Sequence, residues 1–310
     1  MYFLDHFGLK DQPFALTPDS RLFFDGADRR DILASLLYAV KRGDGLLKVT
    51  GEVGSGKTML CRIMLRMLME EAHVAYLNAP PGDRNHLLAA ICREFQLPEG
   101  DADQMMNALN EFLLDVHANG ERAVLIVDEA QALGAEGLET MRLITNLETD
   151  RDKLIQVVLF GQPELDALLG KRGLRQLAQR VTFSFNTRLL GLMESEAYIR
   201  HRLHLCAVDG RSDHVRPPAL RLLARAATGN PRMINVMADK AMLNAYGEGR
   251  ERVTVRDVMQ AVTECRVIGA RLPVMARPWV RRTLWAGGAV AGLALAVAGG
   301  LVAGVLVLPA

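Results

Sequence analysis

The chain has 310 residues, of which 50% are hydrophobic and 24% are charged, a length with room for about two domains and a balance typical of folded proteins. A formal net charge of +1 excludes a protein that attracts nucleic acid over its whole surface. The four cysteines are far apart and show no metal-ligand spacing, which is typical of buried free thiols in a reducing compartment.

Residues 1–26 combine aromatic residues and prolines with few periodic signals, which predicts a short lead-in segment packed on the domain that follows. The first residues lack the basic and then apolar pattern of a secretory signal, so we expect the bulk of the protein in the cytosol. The next stretch, ADRRDILASLLYAVKRGDG, has apolar residues at helical spacing and predicts an amphipathic helix.

Five short apolar runs alternate with helical stretches between residues 27 and 189. The runs are LLKVT at 46–50, HVAYLN at 73–78, AVLIVDEA at 123–130, LIQVVLFG at 154–161 and RVTFSF at 180–185. Continuous apolar runs are typical of parallel strands that helices cover on both faces. The pattern therefore predicts a three-layer α/β domain with a parallel five-stranded sheet.

The sequence GEVGSGKT follows the first predicted strand and precedes a predicted helix. Its glycines let the backbone curl so that N–H groups point at phosphate oxygens, and the helix adds its positive N-terminal end. In this pattern the lysine, Lys57, reaches the β- and γ-phosphates, and the threonine, Thr58, ligates Mg²⁺. We expect the loop to bind ATP through Gly51, Glu52, Val53, Gly54, Ser55, Gly56, Lys57, Thr58 and Met59.

A pair of acids ends the third apolar run, VLIVDE. Asp128 is placed to hold Mg²⁺ through water, and Glu129 is placed to polarise the attacking water. An aspartate alone would fit a static nucleotide switch. The pair favours ATP hydrolysis, with Glu129 and Lys57 as catalytic residues.

Three further positions are candidates for the same site. Gln162 follows the fourth strand, where it orients the attacking water or senses the γ-phosphate; the alternative interpretation is a turn residue before Pro163. Arg180 precedes the fifth strand, where an arginine reaches the γ-phosphate of a neighbouring subunit; Arg175 is the rival candidate, and a surface arginine is the third interpretation. Arg232, in GNPRMIN, begins a helix that is able to fold back over the phosphates.

After residue 190 the strand signals stop, and four helical stretches follow up to about residue 267, which predicts a small helical lid domain. Residues 268–283 are a basic linker. Residues 284–308 then contain 25 residues without a charge, enough for a membrane-spanning helix of ~37 Å. Arginines precede this segment and none follows it, so the positive-inside rule places the N-terminal side in the cytoplasm.

Together these motifs resemble an AAA+ ATPase, with a Walker A loop at 51–58, a Walker B strand ending in VLIVDE, sensor 1 at Gln162, an arginine finger at Arg180 and sensor 2 at GNPR. The opening FGLKDQPFALTPDSRLFF, with TGEVGSGKT and DEAQ, is similar to the bacterial ExeA/GspA-like ATPases (general secretion pathway protein A, with relatives in MSHA-type pilus and exosortase-linked polysaccharide systems). The resemblance covers roughly residues 1–267.

The resemblance implies an oligomeric, Mg²⁺- and ATP-dependent enzyme at the bacterial inner membrane, which drives assembly of a secretion, pilus or polysaccharide-export apparatus. Many relatives carry a periplasmic peptidoglycan-binding domain after the membrane helix. This sequence stops two residues past the predicted span, so we expect no direct peptidoglycan binding and take the shorter pilus- and polysaccharide-associated relatives as better guides.

Two other functions are considered. A DNA-binding regulator of the transposition or initiator type is the alternative, because residues 171–232 carry 12 Lys/Arg against 4 Asp/Glu. No helix-turn-helix motif or basic tail is evident, so we expect no nucleic-acid partner. The other is a scaffold that binds ATP without hydrolysing it, against which the intact Glu129 argues.

Overall fold

The computed structural model describes residues 2–265. The predicted basic linker at 268–283 and the predicted membrane span at 284–308 lie outside the described residues. From residue 2 to residue 265, no helix combines the length and the apolar character that crossing a membrane requires.

Five parallel strands form one sheet in the spatial order β2-β3-β4-β1-β5. The strands are β1 Leu46–Gly51, β2 His73–Asn78, β3 Ala123–Asp128, β4 Ile155–Gly161 and β5 Val181–Thr187. The prediction of a parallel five-stranded α/β domain is confirmed. Because β4 lies between β1 and β3, the carboxyl ends of these three strands meet at one edge of the sheet.

Helices cover both faces of the sheet. Those before and between its strands are α2 Arg29–Arg42, α3 Lys57–Leu68, α4 Arg84–Glu94, α5 Ala102–Ala118, α6 Gly134–Ile144, α7 Pro163–Leu169 and α8 Arg175–Ala178. Alternate residues of one strand enter different cores: Ile126 packs with α2 and α3, whereas Leu125 packs with α4, α5 and α6. The two buried faces explain the continuous apolar runs of the central strands.

The four helices predicted after the sheet are present and share a separate apolar core. They are α9 Leu192–Cys206, α10 Pro217–Ala226, α11 Pro231–Gly247 and α12 Val255–Glu264. Pro217 and Pro231 occupy the first helical turns, and Thr254 forms a capping box with Asp257.

The N-terminal segment joins the core of these four helices. It contains α1 Tyr2–Phe7 and a 3-10 turn at Ser20–Leu22, and its Phe7, Leu9 and Phe14 are buried among the lid helices. The sequence predicts packing on the domain that comes next in the chain; Phe23 does pack there, against the core shared by α2 and α3, whereas the other three side chains fill the lid core. Polar contacts also join the segment to the sheet domain, since Arg62 and Arg66 of α3 donate to Pro18 O (3.2 Å) and Ser20 Oγ (2.8 Å).

Candidate active site

The loop after β1 has a curled backbone with positive φ angles at two of its glycines. Gly54 and Gly56 have φ values of +78° and +102°, a region that side chains disfavour. At Gly51 a Cβ atom would lie 2.0 Å from Thr187 Oγ1, so β5 leaves no room for a side chain. Gly56 caps α3, and the N-terminal N–H groups of this helix make an anion site at the loop.

Lys57 is held inside this loop. Its side chain is buried, with the residue 5% exposed, and its Nζ donates to Gly51 O (2.7 Å) and Glu52 O (3.0 Å). Burial lowers the pKa of Lys57, and the nearby carboxylates of Glu129 and Asp128 oppose this effect. The loop therefore encloses a positive charge where the β- and γ-phosphates of a nucleotide would lie.

The underside of the loop is tied to β5 and α2. Ser55 Oγ lies 2.7 Å from Thr187 Oγ1, and Arg29 Nη2 donates to Ser55 O at 2.7 Å. Arg29 is 5% exposed, and desolvation lowers its pKa. The sequence did not reveal this buried contact under the loop, because the stretch ADRRD is typical of the exposed start of a helix.

Asp128 ends β3 beside the loop. It is 1% exposed, and burial raises its pKa, while bonds from the Glu129 N–H (2.9 Å) and the Thr58 side chain lower it. Two adjacent oxygen donors fit Mg²⁺, which prefers oxygen and keeps several water or phosphate ligands. Within residues 2–265 there is no group of three or more acidic, histidine or cysteine side chains able to form an all-protein metal cage.

Glu129 and Gln162 come together, as the strand order requires. Gln162 Nε2 donates to Glu129 Oε2 at 2.9 Å, and Gln131 Nε2 donates to the same oxygen at 2.5 Å. Burial tends to raise the pKa of Glu129, but the two amide donors and the Lys57 charge outweigh it and lower the pKa. Glu129 is thus held ionised at the rim of the cavity beside the loop.

The lid reaches the loop through the start of α11. Asn230, the N-cap of this helix, donates from Nδ2 to Val53 O at 2.8 Å, and Arg232 N–H contacts Gly54 O at 3.4 Å. Arg232 is exposed and lines the cavity together with Lys57 and Thr58. Arg232, which the sequence predicts to fold back over the phosphates, therefore lies next to the phosphate-binding loop.

A cavity of about 360 Å³ adjoins the loop, and its walls come from three parts of the chain. The N-terminal segment contributes Leu16, Pro18 and Phe23, and the lid contributes Tyr198 and Asn235. Apolar walls next to an anion-binding loop suit a ligand with a flat apolar end and a charged end, as a nucleotide has.

The sequence is similar to known ATPases. A family model described as an AAA domain matches residues 40–169. General secretion pathway protein A of Aeromonas hydrophila is 40% identical over 261 residues, which cover 83% of this chain and 47% of that protein. The chain belongs to the GspA-like AAA+ ATPases. It spans about half the length of this curated relative.

Solved structures with this fold are more distant. The Aeropyrum pernix ORC2 protein, in its ADPNP-ADP complexes, has a TM-score of 0.64 at 19% identity, over 83% of this chain and 72% of that one. CDC6P of Pyrobaculum aerophilum has a TM-score of 0.64 at 18% identity, over 82% and 70% of the two chains. At this identity the likeness shows the AAA+ fold alone.

The two candidate finger arginines of this AAA+ ATPase lie away from its own cavity. Arg180 Nη1 donates to Thr145 O at 3.1 Å at the end of α6, whereas Arg175 is exposed on α8. Neither lies among the described residues that line the cavity. The structure thus brings the loop, Asp128, Glu129, Gln162 and Arg232 together at one site. Arg175 and Arg180 lie outside this site.

Gln131 and Asn230 are site residues that the sequence reasoning missed. Gln131 stands in the DEAQ motif but contacts Gln162, 31 residues away, and Asn230 contacts Val53, 177 residues away. A spacing pattern contains no signal for such contacts. The only sequence clue is that both are amides beside residues already singled out.

Proposed function

We propose that this AAA+ ATPase is anchored in the bacterial inner membrane and that its ATP hydrolysis drives assembly of a cell-envelope apparatus. Candidates are type II secretion, an MSHA-like pilus and exopolysaccharide export. The name of the Aeromonas relative supports a secretion-related role. We further propose a lead-in at 1–26, an ATPase domain at 27–189, a lid at 190–267, a linker at 268–283 and a single membrane helix at 284–308.

The proposed chemistry assigns a role to each part of the site. The N–H groups of residues 51–59 and the Lys57 ammonium bind phosphate oxygens, and Thr58 and Asp128 hold Mg²⁺, which neutralises charge on the β- and γ-phosphates. Glu129 polarises the attacking water, and Gln162 orients it. Arg232 reaches over the phosphates from the lid, and Arg180, with Arg175 as its rival, contacts the nucleotide of a neighbouring subunit.

One observation carries the hydrolytic part of the proposal. Glu129 is an ionised carboxylate at the cavity rim, next to the buried Lys57 and held by the Gln162 amide. A scaffold that only bound ATP would need no carboxylate placed in this way. The arrangement supports turnover rather than storage of ATP.

The test measures ATP hydrolysis and complex formation. Lys57→Ala removes the phosphate-binding charge and Glu129→Gln removes the base, so we expect each to lower kcat at least 100-fold, with Glu129→Gln still binding ATP. Lys10→Ala, at an exposed lysine outside the site, is the control and keeps wild-type activity. ATP-bound Glu129→Gln, crosslinked in membranes, is expected to capture envelope-assembly proteins that Lys57→Ala does not.

Two results would overturn the proposal at different points. Wild-type hydrolysis by Glu129→Gln would remove Glu129 from the reaction. If both variants lose hydrolysis as expected but capture the same set of proteins, the ATPase activity stands and the assembly role is excluded.

The structure offers the DNA-binding alternative little support. Several arginines of the basic 171–232 stretch are engaged inside the chain: Arg188 pairs with Glu194, Arg202 is buried, and Arg180 bonds Thr145. Salt-dependent DNA binding by the purified protein, with a slope that falls when Arg221 and Arg225 are replaced, would instead favour this alternative.

A further inference from the structure

Gln131 lies at the centre of the candidate site, although neither the loop nor the acid pair includes it. It occupies the 3-10 turn Ala130–Leu133, which directly follows β3 and Glu129. Its Nε2 donates to Glu129 Oε2 at 2.5 Å, and its Oε1 accepts from the backbone N–H of Gln162 at 3.0 Å. One side chain thus links the end of β3 to the end of β4.

The orientation of this amide is determined by its partners. The backbone N–H of Gln162 is only a donor, so the atom that faces it must be the Gln131 oxygen. The nitrogen then faces Glu129, whose ionised carboxylate is only an acceptor. A flipped Gln131 would lose both bonds, which makes the assignment of its oxygen and nitrogen self-consistent.

Both amide donors bind the same oxygen of Glu129. Gln131 and Gln162 donate to Oε2, and among the described residues no hydrogen bond involves Oε1. The carboxylate is therefore fixed through one oxygen, and the other is left to accept a proton from water. Glu129 also has a left-handed backbone, with φ of +53°, a conformation that residues with side chains rarely adopt.

We infer that Gln131 is a positioning residue for ATP hydrolysis: its amide ties the Glu129 carboxylate to the backbone of Gln162 and keeps Glu129 Oε1 directed at the attacking water. The inference rests on the proposed role of Glu129. Gln131 does not bind phosphate, since its two bonds go to Glu129 and to the Gln162 backbone. It acts on the rate of the chemical step through the orientation of Glu129.

The test compares Gln131→Met, which keeps the length of the side chain, with Gln131→Glu, which keeps the acceptor oxygen and loses the donor. We expect kcat to fall at least tenfold in both, while the affinity for a fluorescent ATP analogue stays within twofold. The KM for ATP is also expected to stay within about twofold of wild type, so that the loss falls on kcat, because both bonds of Gln131 go to Glu129 and the Gln162 backbone. Gln260→Met, at an exposed lid glutamine, is the control and changes neither.

The outcomes separate this inference from the proposed function. Wild-type kcat in Gln131→Met or in Gln131→Glu would overturn the positioning role. An equal loss of ATP affinity and kcat would also overturn it, because Gln131 would then support the fold of the site. If Glu129→Gln stops hydrolysis and Gln131→Met does not slow it, only this inference fails; if Glu129→Gln stays active, the role of Glu129 fails first.

Discussion

At the scale of single residues, Arg29 is the least expected member of the site. Its guanidinium is buried and donates to the carbonyl of Ser55 in the phosphate loop, and the described residues form no ion pair with it. Burial of the charge costs stability, whereas the bond to Ser55 holds the loop in its curled form. Arg29 thus favours nucleotide binding at some expense to the stability of the fold.

This balance predicts opposite changes in binding and stability. Arg29→Met keeps much of the packing and removes the charged donor to Ser55. We expect ATP to bind about tenfold more weakly, which corresponds to about 1.4 kcal/mol, close to the smallest contribution of a hydrogen bond to a charged group. The melting temperature without nucleotide is expected to stay the same or to rise. Calorimetric titration with ATP and thermal unfolding measure the two quantities.

The neighbouring arginine provides a matched control for Arg29. Arg30 has a side chain that is 75% exposed and pairs with Asp25 at the surface, so Arg30→Met should change neither quantity measurably. Unchanged ATP affinity in Arg29→Met would contradict the role of the Ser55 bond.

At the scale of elements, one arginine joins the end of the sheet to the first lid helix and to the segment before α2. Arg188 follows β5 and donates to Glu194 in the first turn of α9 through two bonds of 2.7 Å, and to Asp28 before α2 at 2.9 Å. The Arg188 bonds lower the pKa of Glu194 to about 2, from an ordinary value of 4.5. A carboxylate with a lowered pKa stabilises the folded state fully above pH 4.5, and this contribution is lost as the pH falls towards 2.

We therefore expect Glu194→Gln to lower the melting temperature at pH 7 but not near pH 2. Thermal unfolding across this range measures the difference between variant and wild type, which should shrink steadily below pH 4.5. Glu196→Gln, two residues further along the same helix, is the control, since no ion pair of the described residues includes Glu196. A constant difference at all pH values would mean that the Glu194 side chain acts through packing rather than charge.

Elements with a strong local signal were predictable from the sequence, and others were not. The central strands β1, β3 and β4 were predictable because both of their faces are buried, and α10 to α12 because proline and capping positions marked their starts. Segment α1 gave no periodic signal. Its place in the lid core depends on contacts such as His214 Nε2 with Phe7 O (2.9 Å), across 207 residues.

The residues of the candidate site also fall into two groups, those with a local sequence signal and those without one. Loop, acid pair and sensor positions follow from local motifs, because phosphate and Mg²⁺ need fixed residue types at fixed spacing. Gln131, Arg29 and Asn230 act through bonds to distant backbone atoms. Only the fold brings such partners together, and no local spacing marks these positions.

At the scale of the whole molecule, the uncharged segment at 284–308 predicts where the enzyme works. We expect the full chain in bacterial cells to sediment with membranes and to resist extraction at high pH, because this apolar segment is long enough to span the hydrocarbon core. A chain ending at residue 265 should stay in the supernatant and keep its ATP hydrolysis. Proteolysis of right-side-out spheroplasts should leave the ATPase domain intact, as the positive-inside rule requires.

Two outcomes would contradict this prediction. Release of the full chain by high-pH extraction would exclude a membrane-spanning segment. Digestion of the ATPase domain in intact spheroplasts would reverse its orientation.

The N-terminal segment also decides how this protein is best divided into fragments. Phe7, Leu9 and Phe14 fill the lid core, Arg202 Nε donates to Pro13 O at 2.5 Å, and Leu16 and Pro18 form part of the cavity wall. A fragment that starts at residue 27, where the ATPase domain begins by sequence, would leave an open apolar groove on the lid and a cavity missing one side. We expect such a fragment to self-associate through the groove. Its nucleotide affinity would be low because the cavity wall is missing, and would not represent the affinity of the full chain.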